Sequence, residues 1–154
     1  MLLEISGLPL HPLVVHAVVV LLPLATLGAL AVAARPRWAG AYGPLVTVLA
    51  VVGAVAAFVA QQAGEALQAH LLSQGDPLDG FGDHSALGHM VLYLGVAFAL
   101  AAVVSTVLAR RAGAGSRPHR VAAWLAAGLG VAATAYAYLA GESGASSVWG
   151  YLFA

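Results

Sequence analysis

Residues 11–40 read HPLVVHAVVVLLPLATLGALAVAARPRWAG. From Leu13 to Ala34 there is no charged side chain, and the run ends abruptly in Arg35-Pro36-Arg37. A membrane-crossing helix needs about 20 mostly apolar residues at about 1.5 Å each. This stretch therefore reads as one span followed by a tight turn. Three further runs of the same kind follow at Ala41–Ala60, Met90–Ala109 and Val121–Ala140, all without charge. The first span alone contains a histidine, His16, together with Thr26 and Pro23. Pro23 is expected to kink its helix, because it removes a backbone donor and crowds the turn before it.

Composition agrees. The chain has 154 residues, of which 62% are hydrophobic and only 8% charged, against about 25% charged in ordinary soluble domains. There is no cysteine, which excludes disulfides, iron–sulfur clusters and thiolate metal sites. Zero formal charge argues against nucleic acid as a partner. The opening MLLEISGLPLHP carries Glu4 and no basic segment, so a cleaved signal peptide is not expected. The fold class is all-α: a single domain over residues 1–154, built as a four-span up-down bundle with a short first connection.

Charge is segregated along the chain. Arg35, Arg37, Arg110, Arg111, Arg117 and Arg120 lie in the first and third connections. Glu4, Glu65, Asp76, Asp79, Asp83 and Glu142 lie at the termini or in the second connection. Arginine-rich short loops stay cytoplasmic. The expected placement is a bacterial inner membrane with both termini outside. His11, His16, His70, His84 and His89 then fall on the outer side, and His119 among the arginines.

A duplication is written into the chain. A shift of 73 residues places His11 on His84, His16 on His89 and Arg37 on Arg110. A shift of 77 places Gly53 on Gly130, Ala60 on Ala137, and Ala63-Gly64-Glu65 on Ala140-Gly141-Glu142. The chain thus reads as two parallel helical hairpins, about 11–70 and about 84–149, related by an axis along the membrane normal. In such a bundle the first and third helices are diagonal. His16 should then face His89, and Glu65 should face Glu142. Five residues along a helix turn about 140° around it, so His11 and His16 cannot both point inward. Pro12 suits a first helical turn, which leaves His11 and His84 as outer, capping rings and His16 and His89 as the inner pair. Gly64 and Gly141, at four-residue spacing from small neighbours, allow close packing or clear room for a flat ligand.

Ionisable groups within a membrane are costly and usually face a bundle interior. Three readings follow. His16 and His89 are axial ligands of a b-type haem in the outer leaflet, with Glu65 and Glu142 fixing their tautomers. His11, His84 and the helix N-termini would then receive the propionates, since that side has no arginine. Alternatively, His16, His89, Glu65 and Glu142 bind a zinc, copper or iron ion directly, and the acidic loop draws cations in. In the third reading the histidines sit at the interface with no ligand, in a purely structural subunit. A serine nucleophile has no support, because GESGAS lacks a strand–turn–helix setting. An electron-transfer or metal-binding subunit is expected rather than a stand-alone enzyme.

The sequences LPLHPLVVHAVVVLLP, HSALGH and GESGASSVWG resemble a family of small bacterial membrane proteins catalogued as domain of unknown function 2231. The likeness covers most of the chain. The family's opening continues as Val-His-Phe-Pro, where this chain has Ala17 and Val18 after His16. Similar four-span modules occur joined to Rieske or cytochrome c domains. The resemblance therefore implies redox work with a membrane or periplasmic partner protein, and points to haem and to His11, His16, His84 and His89. It leaves the oligomeric state open.

Overall fold

The computed structural model describes residues 4–5, 7–75 and 83–149. Four helices make up nearly all of it: α1 (Leu10–Ala34), α2 (Ala39–Ser73), α3 (His84–Arg111) and α4 (Arg117–Trp149). All four are long and apolar enough to cross a membrane. In hydrocarbon only a helix or a closed barrel satisfies its own backbone, and runs rich in Ala, Leu and Val choose the helix. Two short strands precede α1: β1 (Glu4–Ile5) pairs antiparallel with β2 (Leu8–Pro9). Gly7 turns between them at φ +78°. This small hairpin is an addition to the expected all-α bundle and leaves its class unchanged.

The punctuation is local. Arg35 caps α1 in a non-helical conformation, as a residue before proline prefers. A single 3-10 turn, Pro36–Trp38, then leads into α2, with the Arg35 guanidinium 4.9 Å over the Trp38 ring. Gly113 and Gly115 carry the α3–α4 turn at φ +92° and +91°, where a side chain would be strained. α1 runs through Pro23 as one continuous helix, and α2 likewise through Pro44.

Neighbours around the bundle are α1–α2, α2–α3, α3–α4 and α4–α1, so α1 and α3 are diagonal, as are α2 and α4. Connectivity puts all six arginines at one end, called here the arginine end. Glu65, Asp83 and Glu142 lie toward the other, acidic end; Asp76 and Asp79 lie outside the described residues. The interior is mostly alanine, which lets the backbones approach closely. Two large side chains fill its middle, Leu22 and Phe98, both fully buried. Each seats in a glycine notch: Leu22 of α1 at Gly53 of α2, and Phe98 of α3 at Gly130 of α4. Hydroxyl pairs tie the helices, Thr26 with Thr134 at 3.1 Å and Thr47 with Thr106 at 2.8 Å.

The second and fourth spans outrun the sequence reading. Helix α2 continues past Ala60 to Ser73, and α4 past Ala140 to Trp149. The segment GEALQAH, expected as the start of a loop, is helical. This extension decides the geometry of the candidate site.

Candidate functional site

His11 lies in the first turn of α1, beside the prolonged part of α2. Its Nδ1 donates to the Ala60 carbonyl at 2.7 Å. A carbonyl only accepts, so Nδ1 carries the proton and the neutral ring keeps its lone pair on Nε2. The ring lies across Gly64: a Cβ there would stand 2.9 Å from His11 Nδ1 and 3.0 Å from Cε1. His84, in the first turn of α3, repeats this against α4. Its Nδ1 donates to the Ala140 carbonyl at 2.9 Å, and a Cβ on Gly144 would stand 2.9 Å from its Cε1. The two half-buried rings meet across the diagonal, with centroids 5.8 Å apart and planes at 85°.

His16 and His89 are arranged differently. Each Nδ1 donates to the carbonyl four residues back in its own helix, Pro12 at 2.6 Å and Ser85 at 2.7 Å. His16 is exposed on the outside of the bundle. His89, with 37% of its side chain exposed, turns toward α2, where its Nε2 lies 3.6 Å from Glu65 Oε1. Gln61 Nε2 donates to the same carboxylate oxygen at 2.9 Å, while the buried Gln61 Oε1 has no partner among the described residues. Glu142 and His70 are exposed.

The expected inner pair is therefore corrected. The angular argument holds, since only one ring of each pair points inward, but the inward rings are His11 and His84. The reason is the length of α2 and α4. A bundle ending near Ala60, where the second apolar run stops, would strand His11 outside it. With the helices prolonged, the first turns of α1 and α3 are flanked on both sides and His11 becomes a bundle residue. The glycine assignment shifts too. Gly64 does accommodate a ring, but its counterpart is Gly144, three residues beyond Gly141, and Ala60 matches Ala140 rather than Ala137. Gly141 borders open space, as does Gly88, with no atom within 4 Å of a Cβ built on either. Of the four expected ligands only His89 and Glu65 come together; His16 and Glu142 do not join them, and no group of three potential metal-ligating side chains forms among the described residues.

The chemical capacity of the His11–His84 pair can be bounded. With metal–nitrogen bonds of about 2.0–2.1 Å, two imidazoles on one ion at angles of about 109° to 180° have ring centres about 5.2 to 6.3 Å apart. The observed 5.8 Å lies inside that interval. An Nδ1 tied to a backbone carbonyl, with Nε2 left bare, is the usual state of a ligating histidine. A pair without a third protein ligand is a poor zinc site, since zinc takes three or four. An iron whose remaining ligands belong to a macrocycle needs its two protein rings at the wide end of that interval, about 0.5 Å further apart than these two stand.

The carbonyls of Ala60 and Ala140, and Gly144, are the parts that sequence reading missed. Their signal was present as Ala-x-x-x-Gly at 60–64 and 140–144. The two Ala-Gly-Glu tripeptides drew the alignment into a register three residues away.

The profile of a family described as predicted membrane protein, DUF2231, matches residues 7–153. No curated protein and no solved structure matches the chain.

Proposed function

Because the chain belongs to the family of predicted membrane proteins catalogued as domain of unknown function 2231, we propose that this four-span protein is an electron-transfer subunit carrying a b-type haem. His11 and His84 would hold its iron. One observation carries this reading: two imidazoles from diagonal helices, 5.8 Å apart, each held by a backbone carbonyl with Nε2 free. The haem would supply reversible one-electron transfer. The chain's own residues fix the rings: Ala60 and Ala140 set the tautomer, and Gly64 and Gly144 let each ring lie flat against its neighbouring helix. A membrane or periplasmic partner protein would give or take the electron. By the charge rule the arginine end faces the cytoplasm of a bacterial cell and the histidine end faces out.

The test is a visible spectrum of the purified protein, oxidised and then reduced with dithionite. A sharp band should appear on reduction and persist in His16→Ala and His89→Ala. It should vanish in His11→Ala and His84→Ala. A band that survives both of the latter substitutions overturns the ligand assignment, and a blank wild-type spectrum overturns the haem.

A second reading rests on His89 and Glu65, 3.6 Å apart at an acid-bearing end. A copper or non-haem iron ion shared by this pair, its other ligands supplied by water, would give stoichiometric metal by elemental analysis and no sharp band on reduction. That metal would be lost in Glu65→Gln, whereas a haem on His11 and His84 would remain.

A further inference from the structure

The arginine end holds a feature that the haem reading does not use. Arg117, Arg120, Val121 and Trp124 follow one another on a single face of α4 at helical spacing. Together with Gly115 they line an open groove of about 600 Å³. Val121 is 63% and Trp124 51% exposed, so the groove runs from a charged mouth onto an apolar, lipid-facing wall. The backbone N–H of Gly115 donates to Nδ1 of His119 at 3.0 Å, and the His119 ring is fully buried.

The charge in this groove has no counterpart beside it among the described residues, where Glu65, Asp83 and Glu142 lie toward the opposite end of the bundle. Among the described residues neither Arg117 nor Arg120 takes part in an ion pair. Two guanidiniums one turn apart form a fork suited to the oxygens of a phosphate. An indole beside them suits the ester region of a lipid, and the exposed Val121 and Leu125 suit an acyl chain. We propose that this groove binds the headgroup of an anionic glycerophospholipid. Arg117 and Arg120 hold the phosphate, and Trp124 packs against the glycerol backbone. The occupant is a lipid rather than a soluble anion because the groove opens onto the apolar flank of a membrane-spanning helix.

Native mass spectrometry of the purified full chain in a neutral detergent tests this. The probes are phosphatidylglycerol and phosphatidylcholine with identical acyl chains. Each basic side chain near a membrane surface favours an anionic lipid by about fivefold, so two give a preference of about thirtyfold for phosphatidylglycerol. The double variant R117Q/R120Q should bind both lipids equally. R110Q/R111Q, with the same loss of charge at the same end, should keep the preference within about twofold. Circular dichroism checks that each variant is helical. If R117Q/R120Q fails to fold, R117K/R120K serves: it keeps the charge but loses the fork, and should bind phosphatidylglycerol at least about fivefold more weakly. Equal binding of the two lipids by the wild type overturns the proposal. So does a preference that survives R117Q/R120Q, one that R110Q/R111Q abolishes just as well, or unchanged affinity in R117K/R120K.

Discussion

Replacing Gly64 with alanine places a methyl carbon 2.9 Å from Nδ1 and 3.0 Å from Cε1 of His11. The neighbour at risk is a ring already fixed by a 2.7 Å bond to Ala60. If the ring swings away, that bond is lost, at about 1 kcal/mol net. If it stays, the overpacking costs about 1–3 kcal/mol. Against this, alanine gains up to about 1 kcal/mol over glycine in a helix interior. The balance is a destabilisation of up to about 2 kcal/mol, a fall of up to about 8 °C in thermal midpoint for a chain of this size. Gly141→Ala is the matched control. It also lies in the acidic half and in a helix, but nothing stands within 4 Å of its Cβ. Only the propensity gain remains, so Gly141→Ala should be as stable as wild type or up to about 1 kcal/mol more stable. The assay is thermal unfolding in mild detergent, followed by circular dichroism. Gly64→Ala should also lose any absorbance that depends on His11, while Gly141→Ala should not. If Gly64→Ala melts at or above the wild-type midpoint with its spectrum intact, the packing of His11 on α2 is not what holds the ring.

Three further outcomes are expected. Gly130→Ala brings a Cβ to 2.7 Å from Thr26 Oγ1 and 3.0 Å from Phe98 Cζ, both fully or nearly fully buried, and should cost about 1–3 kcal/mol by overpacking in a detergent unfolding titration. A double-mutant cycle of Thr26→Val with Thr134→Val should give a coupling of about 0.6 kcal/mol, the usual size for a hydrogen bond between helices in a membrane; zero coupling would show that the 3.1 Å contact contributes nothing. Single cysteines at Gln74 and Ala114, exposed at opposite ends of the bundle, should differ in labelling by an impermeant reagent on intact cells, with Gln74→Cys modified and Ala114→Cys protected; the reverse pattern would invert the proposed orientation.

The spans could be read directly because the membrane imposes a length and forbids charge, and both are properties of sequence alone. Arg35-Pro36-Arg37 and the glycines at 113 and 115 announced their turns for similar local reasons. The site was legible only in part. His11, His16, His84 and His89 stood out as polar residues in an apolar chain, and the five-residue spacing required one ring of each pair to face away. Which ring does so depends on where α2 and α4 end. GEALQAH is polar enough to resemble a loop, yet apart from Gly64 its residues are tolerable helix formers, and one glycine costs a helix only about 1 kcal/mol, so its composition does not stop the helix at Ala60. The groups that fix His11 and His84 are main-chain carbonyls, which every residue has. Only the glycine four residues further on, Gly64 or Gly144, marks where they lie.

The lengths of α2 and α4 have a mechanical outcome for any protein that approaches the histidine end. At about 1.5 Å per residue, Ala60 stands about 32 Å along α2 from Ala39, close to the hydrocarbon thickness of about 30 Å. Beyond it α2 rises about another 20 Å to Ser73, and α4 continues about 13 Å from Ala140 to Trp149. Since α2 and α4 occupy opposite corners of the bundle while α1 and α3 begin beside the rings, the two prolonged helices stand as posts on either side of His11 and His84. A broad, flat visitor would come to rest on the tops of the posts. Among the described residues, only a narrow projection entering between them along one diagonal would reach the imidazole edges, so the posts limit the shape and angle of approach of any visitor before surface charge is felt.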